Sequence, residues 1–149
     1  MGQKINPKIL RLGPLNTWTS RWFEDKKYKE TVLEDYNIRK SLMDRLKNAG
    51  ISEVEIERSI NSLRITAYVS KPGMVIGRGG TGLDELKLYL HKNHIKKSAV
   101  KNQYKLDIRV EPIKDPNLDA YLVAKGISDQ LLRRLPAKRV MNQTGTKVM

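Results

Sequence analysis

Apolar residues Ile38, Leu42, Leu46 and Ala49 recur three or four positions apart, and Gly50 follows them. That spacing lays one apolar stripe along a helix and predicts one over residues 34–49, with the glycine as its stop. The period then changes to two. Val54 and Ile56 alternate with Glu53, Glu55 and Glu57, while Leu63, Ile65, Ala67 and Val69 alternate with Arg64, Thr66 and Tyr68. Two strands are predicted, meeting in a hairpin at Ile60, Asn61 and Ser62. Leu83, Leu86 and Leu90 restore the helical period, and Thr81 followed by Asp84 has the spacing of a capping box at the start of that helix. Tyr104, Leu106, Ile108 and Val110 alternate as a third strand. Asp115 and Pro116 signal a last helix, whose apolar face runs through Ala120, Ala124, Ile127, Leu131 and Leu135 as far as Pro136. The order is helix, strand, strand, glycine turn, helix, strand, helix.

The glycine turn at residues 73–82 reads GMVIGRGGTG. Gly77, Gly79 and Gly82 form the GxGxxG of a dinucleotide-binding fold, whereas Ile76, Gly77 and Gly80, with Arg78 and Gly79 between, form the IGxxG of an RNA-binding KH domain. The first parse would make the chain a nucleotide-dependent enzyme. The second would make it a binding protein.

Charge bears on that choice. The 149 residues, 39% hydrophobic, suffice for one ordinary core with extended arms. Their formal net charge is +13, from 29 Lys and Arg against 16 Asp and Glu, which favours a polyanionic partner. The excess is uneven. Residues 1–29 carry seven basic and two acidic side chains and residues 71–105 carry eight and two, but residues 30–61 carry five and seven. The glycine turn therefore lies in one of the two most basic regions, with far more positive charge than a nucleotide cofactor requires. The absence of Cys excludes disulfides, thiolate zinc sites and cysteine nucleophiles. The N-terminus lacks the apolar stretch of a signal peptide and no segment approaches a spanning helix, so a reduced, aqueous compartment with no membrane partner is expected.

Element order also counts against the dinucleotide parse. In that fold the glycines directly follow the first strand and an acidic residue ends the second. Here Lys71, Pro72, Gly73 and Met74 intervene, and Asp107 lies inside a predicted strand. Nor does a Gly-Lys-Ser/Thr triplet follow, as a nucleoside triphosphate loop requires. In the RNA parse, Pro72 and Gly73 end a strand, and Met74, Val75 and Ile76 make one apolar helical turn. Gly77, Arg78, Gly79 and Gly80 then link to the next helix, bare of bulky side chains so that backbone can approach phosphates. An ordinary glycine turn between two helices remains the bland alternative.

Helix, strand, strand, VIGRGG, helix, strand resembles a type II KH domain, and the flanking segments resemble the S-three family of small-subunit ribosomal proteins. Three separated motifs carry the likeness: Met1-Gly2-Gln3-Lys4 with Pro7 and Arg11-Leu12-Gly13; Trp18-Thr19-Ser20-Arg21-Trp22-Phe23; and Lys71 through Gly80. It runs from Met1 to about Met141. It implies an α+β fold: a type II KH domain (α-β-β-α-α-β) whose three-stranded mixed sheet carries its helices on one face. A basic N-terminal arm would occupy residues 1–29, the KH domain 30–114, a further helix packing on it 115–135, and a basic tail 136–149. Members of that family continue into another α/β domain, so either a truncated product or a lineage without that domain is expected.

The resemblance further implies a non-enzymatic constituent of the small ribosomal subunit that binds its large rRNA, neighbours other ribosomal proteins and lines the channel by which mRNA enters. No cofactor, metal or small-molecule substrate is implied. The expected RNA-binding residues are Lys4, Lys8, Arg11, Arg21, Lys26 and Lys27 in the arm, and Gly77, Arg78, Gly79 and Gly80 in the turn. Arg133 and Arg134 near the end of the last helix and Lys138 and Arg139 just beyond it complete the set, the latter two aligning with family positions that face mRNA. Asn142 stands where that motif has another basic residue. Contact of Lys138 and Arg139 with rRNA alone is the competing reading, and a free-standing KH module on single-stranded RNA is the competing function.

Other side chains invite chemistry and admit plainer readings. His91 and His94 lie three apart on a helix, but nothing at suitable spacing completes a metal site. Glu53, Glu55 and Glu57 share one exposed strand face, with Glu55 expected near Arg64. Trp18, Trp22 and Phe23 either stack on bases or anchor the arm to its own domain. Lys26, Lys27 and Lys29 are either solvated or phosphate contacts.

Overall fold

A computed structural model of the chain describes residues 2–13, 16–60, 62–95 and 105–149. Asn61 and Tyr104, assigned above to the hairpin and the third strand, lie outside the described residues, as does the side chain of His94.

Helix α1 spans Tyr28–Arg45, and a 3-10 turn at Lys47–Ala49 completes the stretch predicted from residue 34. Its first turns bury no apolar stripe: Val32 and Leu33 are exposed, so periodicity gives no sign of them. They are helical because Trp22 packs on Tyr28, ring centroids 5.4 Å apart, and no Gly or Pro interrupts. Gly50 ends the helical stretch as expected, at φ 68°, in the left-handed region that glycine enters without penalty.

The sheet is mixed, in order β1-β2-β3-β4. β2 (Ile51–Ser59) and β3 (Ser62–Val69) pair antiparallel with Ser59 opposite Ser62, which is the predicted hairpin. β4 (Lys105–Pro112) pairs parallel with β3. To the expected three strands the segment read as an arm adds a two-residue strand, β1 (Ser20–Arg21), parallel to β2.

Helices cover one face only. Val54, Ile56, Leu63, Ile65, Ala67 and Ile108 meet Ile38, Leu42, Val75, Leu86 and Leu90 in a single buried cluster. Each Val, Leu or Ile side chain so removed from water contributes about 1.5–3 kcal/mol, and Ala67 less. The opposite face carries ion pairs instead. Arg64 reaches Glu57 at 3.2 Å and Asp107 at 3.5 Å, not Glu55 as expected, because the register sets Arg64 opposite those two residues. Glu55 is held by Arg21 at 2.7 Å.

After β3 come α2 (Pro72–Ile76), a 3-10 turn at Arg78–Gly80, and α3 (Thr81–Leu90). The expected capping box does not form. Gly80, left-handed at φ 86°, occupies the cap position, which leaves Thr81 inside the first turn with its hydroxyl donating to the Arg78 carbonyl at 3.0 Å.

The last helix starts later than Asp115-Pro116 signals. Those residues form a turn in which Leu118 N–H donates to the Asp115 carbonyl at 3.1 Å. α4 (Ala120–Leu132) begins after Asp119, whose Oδ1 caps it by accepting from Leu122 N–H at 2.9 Å. The segment expected to be a tail is helical from Ala137 to Val148, as α5, with Val140 buried. No helix among the described residues is long and apolar enough to cross a membrane.

Candidate nucleic-acid interface

The glycine turn is shaped by two glycines acting differently. Gly77 has φ 71°, and a Cβ there would lie 3.0 Å from the backbone nitrogen of Gly82. A Cβ on Gly82 would collide with the carbonyl of Val75. Together they let α3 start hard against α2, whose Val75 is buried in the core. Gly82, third glycine of the dinucleotide parse, is thus consumed in helix packing. Gly79 and Gly80 face open space at φ 64° and 86°. Arg78, just before them, is exposed and makes no ion pair among the described residues. The turn therefore presents a side-chain-free ridge, one unpaired guanidinium and the amino end of a ten-residue helix.

The N-terminal segment is fastened at its second half. Ser20 points inward and Arg21 outward, as alternation along β1 requires. Asp35, only 2% exposed, accepts from Trp22 Nε1 at 2.8 Å, Ser20 Oγ at 3.0 Å and Arg58 Nε at 2.8 Å. Arg39 donates to the Thr19 carbonyl at 2.9 Å and to the Ser20 hydroxyl. Of the three aromatics, Trp22 is thus the anchor, while Trp18 and Phe23 stand 64% and 86% exposed. Asp35 was missed as a structural residue. Its signal was a carboxylate three residues before Ile38 on the apolar stripe, a position that demands partners.

The expected basic residues divide into two groups. Lys8 lies 3.4 Å from Glu53, and Arg21 is gripped by Glu55 and by Glu57 at 3.1 Å. Lys4, Arg11, Lys26 and Lys27 are exposed, with no ion pair among the described residues. The open sheet face beside Arg21 is rich in carboxylates: burial, then Glu55 and Glu111, raise the pKa of Tyr68 above the usual phenol value. That face repels phosphate.

Arg133, Arg134, Lys138 and Arg139 converge on the corner between α4 and α5 and are exposed without ion-pair partners among the described residues. Arg134 N–H donates to the Leu131 carbonyl at 2.9 Å and Leu135 N–H to that of Gln130 at 3.3 Å, a Schellman closure. This closure sets Arg134 at φ 61°, where a side chain is strained. α5 then starts at Pro136 with no side-chain cap and no acid in its first turn, while Lys138 and Arg139 crowd that positive end. An anion would relieve both the uncapped N–H groups and the clustered cations.

His91 ends α3 and is exposed, and no group of three or more His, Asp or Glu among the described residues is placed to hold a metal ion.

A paired hairpin, a glycine turn between two helices, a parallel return strand and helices on one face are the elements of a KH domain, and residues 37–117 match the family model described as KH domain. The chain belongs to that family. Over its full length it is 42% identical to small ribosomal subunit protein uS3 of Desulfitobacterium hafniense, 47% to that of Finegoldia magna and 44% to that of Lactobacillus acidophilus. It spans 64%, 58% and 63% of those relatives' lengths. The likeness to the S-three ribosomal family drawn from three short motifs thus extends over all 149 residues.

Proposed function

We propose that the chain binds RNA as a structural constituent of the small ribosomal subunit, with the glycine turn as one phosphate contact and the corner between α4 and α5 as another. The observation that carries this is the turn itself: a Cβ on Gly79 or Gly80 would meet open space, beside an exposed Arg78 with no ion pair among the described residues, in a chain of net charge +13. Similarity to uS3 supplies the ribosomal setting. The partners are rRNA, neighbouring ribosomal proteins and, at the corner, mRNA as it enters its channel. The role is binding, not catalysis, in the cytoplasm. Lys4, Arg11, Lys26 and Lys27 hold rRNA through phosphates, whereas Lys8 and Arg21 are committed to carboxylates and contribute less.

Sedimentation of the chain with small subunits in a cell extract tests the setting; a chain that stays at the top of the gradient while binding single-stranded RNA is a free-standing module instead. Exchange of Lys138 and Arg139 for Ala tests the corner. Phosphate contacts with incoming mRNA read no sequence, so translation should slow through stable hairpins more than through unstructured messages. Equal slowing on both assigns the pair to rRNA.

A further inference from the structure

Four lysines absent from the predicted set meet in one place. Lys47 lies in the 3-10 turn after α1, Lys71 between β3 and α2, Lys125 on α4 and Lys147 in the last turn of α5. The fold brings them together. Lys71 N–H donates to the Ala49 carbonyl at 3.1 Å, which joins the first two segments, and Asp119 ties the start of α4 to Ser52 of β2 at 2.5 Å. All four lysines line a single cleft of about 280 Å³. None forms an ion pair among the described residues, and Asp129 is the only carboxylate lining the cleft among them. Asn48 and Gln130 add amide donors. Lys125 is half-buried, with its ammonium 6.0 Å from the ring centroid of Tyr121.

Four cations gathered from four segments around one carboxylate repel one another unless an anion sits among them. No aromatic side chain lines the cleft, so it offers phosphate contacts without base stacking. We propose that this cleft is a second, sequence-independent phosphate site that holds consecutive phosphates of an RNA backbone. The ligand class rests on the RNA-binding reading above; the site rests on the convergence of the lysines. Of the four lysines only Lys71 adjoins the glycine turn, and the cleft joins the KH core to α4 and α5, so RNA bound there would brace those helices.

The test uses the full chain carrying Lys47→Gln, Lys71→Gln and Lys147→Gln, all exposed positions, beside a chain carrying Arg78→Asp and Gly79→Asp. Affinity for a single-stranded RNA and for a duplex is measured across a salt series, with pyrophosphate as a third probe. Each lost phosphate contact lowers the salt slope by about 0.7 for single strands and about 0.9 for duplex. The triple glutamine chain should therefore lose about two from its slope, bind at least about tenfold more weakly at low salt, and unfold at an unchanged or higher temperature without RNA. Lys125→Gln alone should show a smaller loss in the same direction. Unchanged slope and affinity in the glutamine chain, with a loss in the glycine-turn chain, would overturn this site and leave the general reading standing. Loss in neither would overturn both. Saturation by pyrophosphate, with RNA affinity indifferent to the glutamines, would assign the cleft to a free polyphosphate and overturn the RNA assignment.

Discussion

The glycine turn and the corner between α4 and α5 are both cationic and exposed, but they are built in opposite ways. The turn is seated on the core: Val75 beneath it is buried, and Gly77 and Gly82 lock two helices with no room for a Cβ. The corner has little beneath it. α4 contains no buried residue, Leu131, Leu132 and Leu135 are exposed, and Val140 alone anchors α5. The turn spends sequence on shape and carries one cation; the corner spends it on charge, at a strained arginine and an uncapped helix end. Substitutions of the packed glycines Gly77 and Gly82 should therefore act on folding and binding together, and removal of Lys138 and Arg139 at the corner on binding alone.

The largest effect is expected from Gly82→Ala. Alanine favours a helix over glycine by about 1 kcal/mol, but its methyl group would press on the fixed carbonyl of Val75, and forcing atoms into a packed site costs about 1–3 kcal/mol. Denaturant unfolding should show a net loss of up to about 2 kcal/mol, together with weaker RNA binding. A gain in stability would mean that the seat is soft and the contrast false.

At the corner, the chain with Lys138→Ala and Arg139→Ala should unfold within about 0.5 kcal/mol of the parent, since these are exposed charges at the wrong end of a helix. Its salt slope for single-stranded RNA should fall by about one to one and a half. A large stability loss would place these side chains in packing. A smaller effect on binding is expected from Arg134→Gly, which removes one cation, but it relieves a left-handed arginine at φ 61° and should stabilise by about 0.5–1 kcal/mol. Arg134→Ala removes the same charge without relieving the backbone and should not stabilise; equal gains from both would attribute the effect to charge.

Legibility followed periodicity. β2, β3 and the core of α1 stood out because their buried positions repeat at two or at three to four residues, and the same positions are buried in the fold. β1 was invisible because two residues have no period. The start of α1 was missed because Tyr28 through Leu33 are held by Trp22 and solvent, not by an apolar stripe. Two cap assignments failed where a second residue competed: Gly80 displaced Thr81, and Asp119 displaced Asp115. α5 was read as tail because Val140 is its single buried residue. In the site, the glycine turn and the corner were legible as contiguous motifs. Asp35 and the four-lysine cleft were not, because contacts between distant segments make them.

Contact of the glycine turn with RNA, through backbone and Arg78, is the proposal on which the others rest. Affinity of the chain with Arg78→Asp and Gly79→Asp for a single-stranded RNA at low salt tests it most directly, with thermal unfolding alongside. Aspartate tolerates the left-handed region better than most residues, and both sites face open space, so folding should be nearly intact. Binding should weaken by at least about tenfold with unfolding little changed, since two carboxylates then face the phosphates. Undiminished affinity in a folded chain would contradict the proposal.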